Sequence, residues 1–231
     1  GNKTVNEELA IIRTILNLAC DWGIIDSVPK VKRMRVQVPR TDFLEIEQLE
    51  LLISASIKVG YPCCPAVLLA ARTGMRRGEL RGLRWEDVDF RRRIIDVRQA
   101  ADDECVMHPP KSGLPRTIPM TDDLFRELNN TPRLGELVLC QGSGSCLTDK
   151  MIAVQLRKAC ELAGVGCTWH VLRHSFASHL SMEGVPISVV KELLGHATIG
   201  MTMRYTHLSS VAKKNAIDVL RDRKSTRLNS S

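Results

Sequence analysis

Aromatic residues are scarce in this chain, with 3 Trp, 2 Tyr and 4 Phe among 231 residues. Long apolar stretches are missing too. No run reaches the roughly 18 apolar residues that a membrane-crossing helix needs, so no membrane span is expected. No stretch near Gly1 combines a basic start, an apolar run and a cleavage site. The eight cysteines, at 20, 63, 64, 105, 140, 146, 160 and 167, contain no C-x-x-C pair. Cys167 lies near His170 and His174, but no second ligand pair stands at zinc spacing, so no metal site is expected. The thiols read as small core residues in a reducing cytoplasm. What is present is ordinary for a folded domain: 44% hydrophobic and 26% charged residues. This composition excludes a disordered tail, a collagen-like fibre and a coiled-coil rod. Lys and Arg number 33 against 26 Asp and Glu, a formal charge of +7. The excess favours a polyanionic partner and is weak as an argument by itself.

Along the chain, residues 6–22 have helical periodicity, carried by Leu9, Ile12, Ile15, Leu16, Ala19 and Cys20, and Gly23 ends the pattern. One such helix cannot bury its apolar face alone. With Gly1 rather than Met at the start, residues 1–25 are expected to be the last helix of a truncated N-terminal domain. Residues 26–42 change character: Pro29 and Pro39 bracket Lys30, Lys32, Arg33 and Arg35, and Arg40 follows. This reads as a basic interdomain linker, with Lys30, Lys32, Arg33 and Arg35 as candidate DNA-backbone contacts. From Phe43 the main domain begins. Helices are expected at 45–58, 63–73, from about Arg76, and at 121–130, 148–163, 170–183, 186–194 and 209–221; short strands at 94–98, 105–108 and 117–120. The expected class is mainly α with one small antiparallel β-sheet (α+β), over 43–221. Residues 222–231 lack apolar periodicity and are expected to be a non-native tail.

Five stations carry chemistry. In Thr73-Gly74-Met75-Arg76-Arg77-Gly78-Glu79-Leu80, Gly74 permits a tight turn that sets Arg76 at a helix start, where anions are favoured; Glu79, three residues on, can orient an arginine. Lys111 sits in a Gly/Pro-rich turn between strands. In His170-Val171-Leu172-Arg173-His174, a helix places His170, Arg173 and His174 on one face, and an arginine fork beside an imidazole makes a phosphate clamp. His196 follows the helix-ending Gly195. Tyr205 stands in Met203-Arg204-Tyr205-Thr206-His207. Singly, each station is as well explained by a surface ion pair, a solvated lysine or a core aromatic.

Taken together, in this order and spacing, T-G-x-R-x-x-E-L, H-x-L-R-H, L-G-H and Y-x-H resemble the tyrosine recombinase family, which includes phage integrases, over roughly residues 43–221. The resemblance implies the catalytic-domain fold of that family. It implies Arg76, Lys111, His170, Arg173, His196 and Tyr205 as the active site, with Glu79, His174 and His207 as support. It implies site-specific recombination through a 3′-phosphotyrosine with no metal or other cofactor; the chemistry of the site makes His170 a candidate acceptor of the Tyr205 proton. The implied partner is double-stranded DNA, bound by a homotetramer on two sites when the protein is full length, with no membrane and no small-molecule substrate. The implied location is the cytoplasm of a prokaryote or phage host, on the nucleoid.

Three rivals follow from the same residues. A type IB topoisomerase shares the nucleophile but relaxes DNA without pairing two sites. A metal-dependent nuclease would need carboxylates such as Glu86, Asp87, Asp89, Asp102, Asp103 and Glu104 to converge. A non-enzymatic DNA-binding relative would keep only the fold.

Overall fold

The computed structural model describes residues 1–34, 43–111 and 115–208, apart from the side chains of Lys3, His207 and Leu208. The chain divides into two compact units, Gly1–Arg40 and Thr41–Ser231. In the first, helix α1 (Asn2–Asp21) starts four residues before the expected boundary. Ile11, Ile12, Ile15 and Leu18 on it are exposed. The side-chain amide of Asn6 exchanges two hydrogen bonds with the Met34 backbone, at 2.8 and 2.7 Å, and so ties the following segment to the helix. Lys30, Lys32 and Arg33 are exposed. Arg35 lies outside the described residues, as do the expected helix at 209–221 and the tail at 222–231.

In the second unit, α2 (Ile46–Val59) begins with a capping box in which Gln48 accepts from the Glu45 amide at 3.0 Å, and Gly60 ends it at φ 82°. Helix α3 (Cys63–Thr73) is buried almost throughout and packs against α2. Short α4 (Arg77–Gly82) follows. A three-stranded antiparallel sheet has the order β1 (Val88–Asp89), β2 (Ile94–Val97), β5 (Arg116–Pro119), with Ile95 opposite both Val88 and Ile118. These three side chains face the core, as strand alternation requires.

The expectation of a single sheet needs correction. β3 (Ala100–Ala101) and β4 (Met107–His108) form a separate two-stranded ladder. The strand expected at 105–108 contains β4, whereas two-residue β3 carries too little alternation to read from sequence, and the ladder follows the close packing of β3 on α4. A β-carbon on Gly78 would stand 2.7 Å from the Ala101 carbonyl oxygen, and one on Gly82 3.0 Å from the Ala101 nitrogen. Arg81, 1% exposed, fastens the ladder to the next layer. It donates to the carbonyls of Asp102 (2.8 Å) and Leu147 (2.6 Å) and to Asp149 (2.7 Å).

Helices α5 (Asp122–Asn130), α6 (Asp149–Ala163), α7 (Trp169–Met182) and α8 (Ile187–Leu194) complete the regular helices among the described residues, followed by 3₁₀ turns at Ile199–Met201 and Met203–Leu208. Thr148 and Thr168 cap α6 and α7 by accepting from the amides of Met151 and Val171. The main core lies between α2, α3, α5, α6 and the sheet. A second cluster of Ala177, Val190, Leu194 and Tyr205 joins α7, α8 and the final turn. The architecture is mainly helical with small antiparallel sheets. Among the described residues, no helix is long and apolar enough to cross a membrane.

Candidate active site

The site is assembled by the ends of elements. Gly74 closes α3 in the left-handed region, φ 63°, and a β-carbon there would collide with Phe176 of α7. The chain then turns so that Arg76 caps α4. Gly195 closes α8 at φ 61°, and a β-carbon there would stand 2.9 Å from Nη1 of Arg116. Gly74 lets α3, α7 and α8 converge, Gly195 admits the side chain of Arg116, and the backbone at these corners holds the arginines. Arg173 donates to the carbonyls of Gly74 (2.6 Å) and Leu194 (2.7 Å). Arg76 donates to Gly195 (3.0 Å).

Glu79 is 0% exposed. It accepts from the amide and the guanidinium of Arg76, both at 2.8 Å, as the spacing of three predicted. It also accepts a fork from Arg116, at 3.0 and 2.7 Å. Burial would raise its carboxyl, but the Arg116 hydrogen bonds and charge, with the Arg76 amide, outweigh that and hold it below the usual range.

Arg116 is a residue that the motif reading passed over, although it lies in a segment rich in turn residues beside Lys111. A signal existed. It occupies the same face of β5 as buried Ile118, and an arginine facing inward on a strand implies a buried carboxylate.

Positive charge exceeds negative here. Arg76, Arg116 and Arg173 surround the one carboxylate of Glu79, and Arg173 is 4% exposed with no salt-bridge partner among the described residues. Burial first, then the charge of Arg76, pushes its guanidinium down to about 9, so it stays charged at neutral pH. Isolated buried charge is costly, and such a site favours an anion.

Arg76, Lys111, His170 and Arg173 line one cleft of about 1040 Å³. Lys111 is exposed at its rim. His170 is exposed as well, and its ring stands edge-on to His174, with centroids 4.2 Å apart. His196 is half-buried, and its Nδ1 is 2.8 Å from the Thr202 hydroxyl. Burial, then the charges of Arg173, Arg76, Arg204 and Arg116, push it down to about 3. Tyr205 is 1% exposed, packed in the second core cluster, and its hydroxyl is hydrogen-bonded to Nδ1 of His174. Burial raises its phenol, opposed by Arg204 and Arg173. The structure thus brings Arg76, Glu79, His170, Arg173, His174, His196 and Tyr205 together. The His207 side chain lies outside the described residues.

Four of the six acidic residues of the nuclease alternative are held in separate ion pairs. Glu86 pairs with Arg84, Asp87 with Arg98, Asp103 with Arg77, and Asp102 with His108. Among the described residues, no group of three His, Cys, Asp or Glu side chains converges as metal ligands would. The described cysteines are unpaired thiols, four of them buried. Burial raises Cys63, Cys64 and Cys167 to about 12, which keeps them protonated and poorly nucleophilic.

The phage integrase family model matches residues 42–211. A tyrosine recombinase XerC-like protein of Caldanaerobacter subterraneus subsp. tengcongensis is 28% identical, over 96% of this chain and 66% of its own length. Tyrosine recombinase XerA of Thermococcus onnurineus is 34% identical, over 90% of this chain and 72% of its own. Among solved structures, the Tn1549 transposon integrase in complex with a circular intermediate DNA has a TM-score of 0.80, covering 94% of this chain and 79% of that one; at 19% identity this is a likeness of fold. A XerA recombinase crystal structure is 26% identical, with a TM-score of 0.63, covering 78% of this chain and 65% of that one. The chain spans about two thirds of the length of the first of these curated relatives.

Proposed function

The chain belongs to the phage integrase family of tyrosine recombinases, and from that premise we propose that it carries the strand-cutting and rejoining chemistry of site-specific DNA recombination. The observation that carries this reading is the surplus of guanidinium charge around Glu79, set beside a tyrosine whose hydroxyl is already hydrogen-bonded to an imidazole.

In the proposed reaction, a DNA phosphodiester sits in the cleft with its non-bridging oxygens against Arg76 and Arg173. Both side chains are pre-oriented by backbone carbonyls and Glu79, so little reorganisation is needed as charge builds on phosphorus. The Tyr205 oxygen bonds to phosphorus, the bond to the 5′ oxygen breaks, and a 3′-phosphotyrosine forms. The link conserves the bond energy, so a 5′-hydroxyl can reverse the step on the same or another strand. Lys111, exposed at the rim, supplies the proton for the leaving 5′ oxygen. His196 is neutral, and its Nδ1 contact with Thr202 leaves Nε2 to face the phosphate. Because Tyr205 is buried, productive attack requires the turn at Met203–Leu208 to shift on the DNA. Lys30, Lys32, Arg33 and Arg35 add contacts to the DNA backbone. Four chains of the full-length protein on two sites would complete an exchange. The protein works in the cytoplasm, on the nucleoid.

The test is covalent capture. Nicked duplexes carrying a random-sequence window are incubated with the chain in excess chelator, and denaturant-resistant adducts are recovered and sequenced. Tyr205→Phe is expected to abolish the adduct and Tyr61→Phe to retain it. An adduct surviving Tyr205→Phe, or one that needs magnesium, refutes the reading.

A further inference from the structure

Two of the thiols, Cys105 and Cys146, belong to neither core cluster, and both are partly exposed. We propose that they form an oxidation site: peroxide joins them in a reversible disulfide that tethers the β3–β4 turn and limits the reach of Lys111. The bond itself is independent of the strand-cleavage reading; its effect through Lys111 rests on that reading.

The backbone gives the first reason. The turn between β3 and β4 is closed by two hydrogen bonds, from the Asp102 amide to the Val106 carbonyl and from the Cys105 amide to the Asp102 carbonyl, both at 3.0 Å. The Asp102 carboxylate accepts from the amides of Glu104 and Val106, at 3.0 and 2.9 Å. Inside this turn Cys105 is left-handed, at φ 65°. Glycine fits such a position without strain, and a cysteine costs free energy there. Residues kept against a local preference concentrate at functional sites.

The contacts of the sulfur give the second. Cys105 Sγ accepts from Nη2 of Arg81 at 3.3 Å and lies 3.6 Å from the Leu147 carbonyl oxygen. Cys146 Sγ is 3.4 Å from the same oxygen, and the two thiols are hydrogen-bonded to each other. Two sulfurs from distant parts of the chain therefore meet at one carbonyl, beside a guanidinium that is 1% exposed. Cys140 stands opposite Cys146 across a backbone bridge, but it is 0% exposed and its sulfur is engaged with the Tyr61 hydroxyl at 3.3 Å.

The chemistry assigns the two roles. A cation beside a sulfur favours the anion that attacks peroxide, and Arg81 stands beside Cys105. Burial first, then the Cys105 hydrogen bond, pushes Cys146 up to about 11, so it waits as a thiol. Cys105 sulfur bonds to one peroxide oxygen, the O–O bond breaks, and a sulfenic acid and one water form. Cys146 sulfur then attacks the sulfenic sulfur and loses its proton; the S–S bond forms and a second water leaves. The thiols give up two electrons and peroxide takes them. A dithiol reductant reverses the bond by exchange.

The link to the cleft is short. Ala101 and Asp102 of this hairpin line the cleft together with Lys111, which stands three residues beyond β4. Tying the turn to the segment before Leu147 fixes the hairpin from which Lys111 must reach the leaving oxygen.

The experiment treats the full chain with hydrogen peroxide, removes the excess, and compares it with the chain kept in dithiothreitol. Oxidation should lower the intact mass by about 2 Da, and digestion without reductant should yield a Cys105–Cys146 peptide pair. Cys105→Ser and Cys146→Ser should each abolish that pair. If Cys105→Ser misfolds, Cys105→Gly, which suits the left-handed backbone, takes its place. Single-turnover adduct formation on the nicked duplex selected by wild-type capture should fall at least about tenfold on oxidation and return with dithiothreitol. The serine variants should react like the reduced wild type with or without peroxide. A duplex with sulfur bridging at the 5′ leaving position needs no acid, and there the oxidised chain should match the reduced one. The site is overturned if no disulfide forms, or if Cys146 pairs with Cys140. The tether is overturned if oxidised and reduced chains cleave within about threefold of each other, or if the loss persists on the sulfur duplex. Absence of any adduct from the reduced chain refutes the strand-cleavage reading and the tether with it, while the disulfide stands or falls on its mass and peptide map.

Discussion

Arg116 holds both carboxylate oxygens of Glu79, Nη1 to Oε1 at 3.0 Å and Nη2 to Oε2 at 2.7 Å, while its Nε donates to the Leu193 carbonyl at 2.8 Å. Glu79 reaches from the same carboxylate to Arg76. One buried ion pair therefore joins β5, α4 and the end of α8. The positions of Arg76 and of the Gly195–His196 corner are set by the same contact.

Glu79→Gln should destabilise the chain by about 3–5 kcal/mol, because it leaves Arg116 buried without its counter-charge. Urea denaturation measures it. The sign with pH is fixed by the depressed Glu79 carboxyl. Its contribution is present above the ordinary carboxylate range and is lost as pH falls through the folded value. The difference between wild type and variant should therefore shrink in acid.

Gly195→Ala should cost about 1–3 kcal/mol, from the left-handed backbone and from displacing Arg116. Because Arg116 also positions Glu79, adduct formation should fall at least about tenfold. Thermal melting and covalent capture, run side by side, check both numbers.

Arg173→Lys keeps a charge but loses the planar fork that spans the Gly74 and Leu194 carbonyls. Adduct formation should drop about 10²–10³-fold while the circular dichroism spectrum is retained. A variant within threefold of wild type would remove Arg173 from the phosphate site.

His174 and His196 are pushed down to about 4 and about 3 from 6.5. Both stay neutral in the fold, whereas in the unfolded chain they take up protons near 6.5. Stability should be complete above about pH 6.5 and be lost progressively as pH falls toward those folded values. His174→Asn and His196→Asn should each flatten the dependence of the urea midpoint between pH 6.5 and 4. An unchanged slope in both would show that these imidazoles are protonated in the fold.

Much of this could be read from the chain. Helix α3 was expected at 63–73 and lies at Cys63–Thr73, because Gly74 stops it locally. Helices α6 and α8 differ from expectation by one residue at the start, and α7 by one residue at each end, since Thr148, Thr168 and Gly195 are local caps. The strand expected at 105–108 contains β4, but its partner β3 was not legible, because that two-residue strand is held by contact with α4 and by Arg81 rather than by any pattern of its own. Arg116 was missed because its carboxylate partner is 37 residues away.

The sequence by itself determined which residues are available: two tyrosines, a histidine–arginine face on α7, and glycines that end α3 and α8. Those follow from composition, from helical periodicity and from local backbone sterics. Only the tertiary structure decided which imidazole meets the nucleophile. His170 and His174 share one face by their spacing of four, so periodicity treats them alike. The choice comes from where the final turn docks. Tyr205 packs with Ala177, Val190 and Leu194, and that burial aims its hydroxyl at His174.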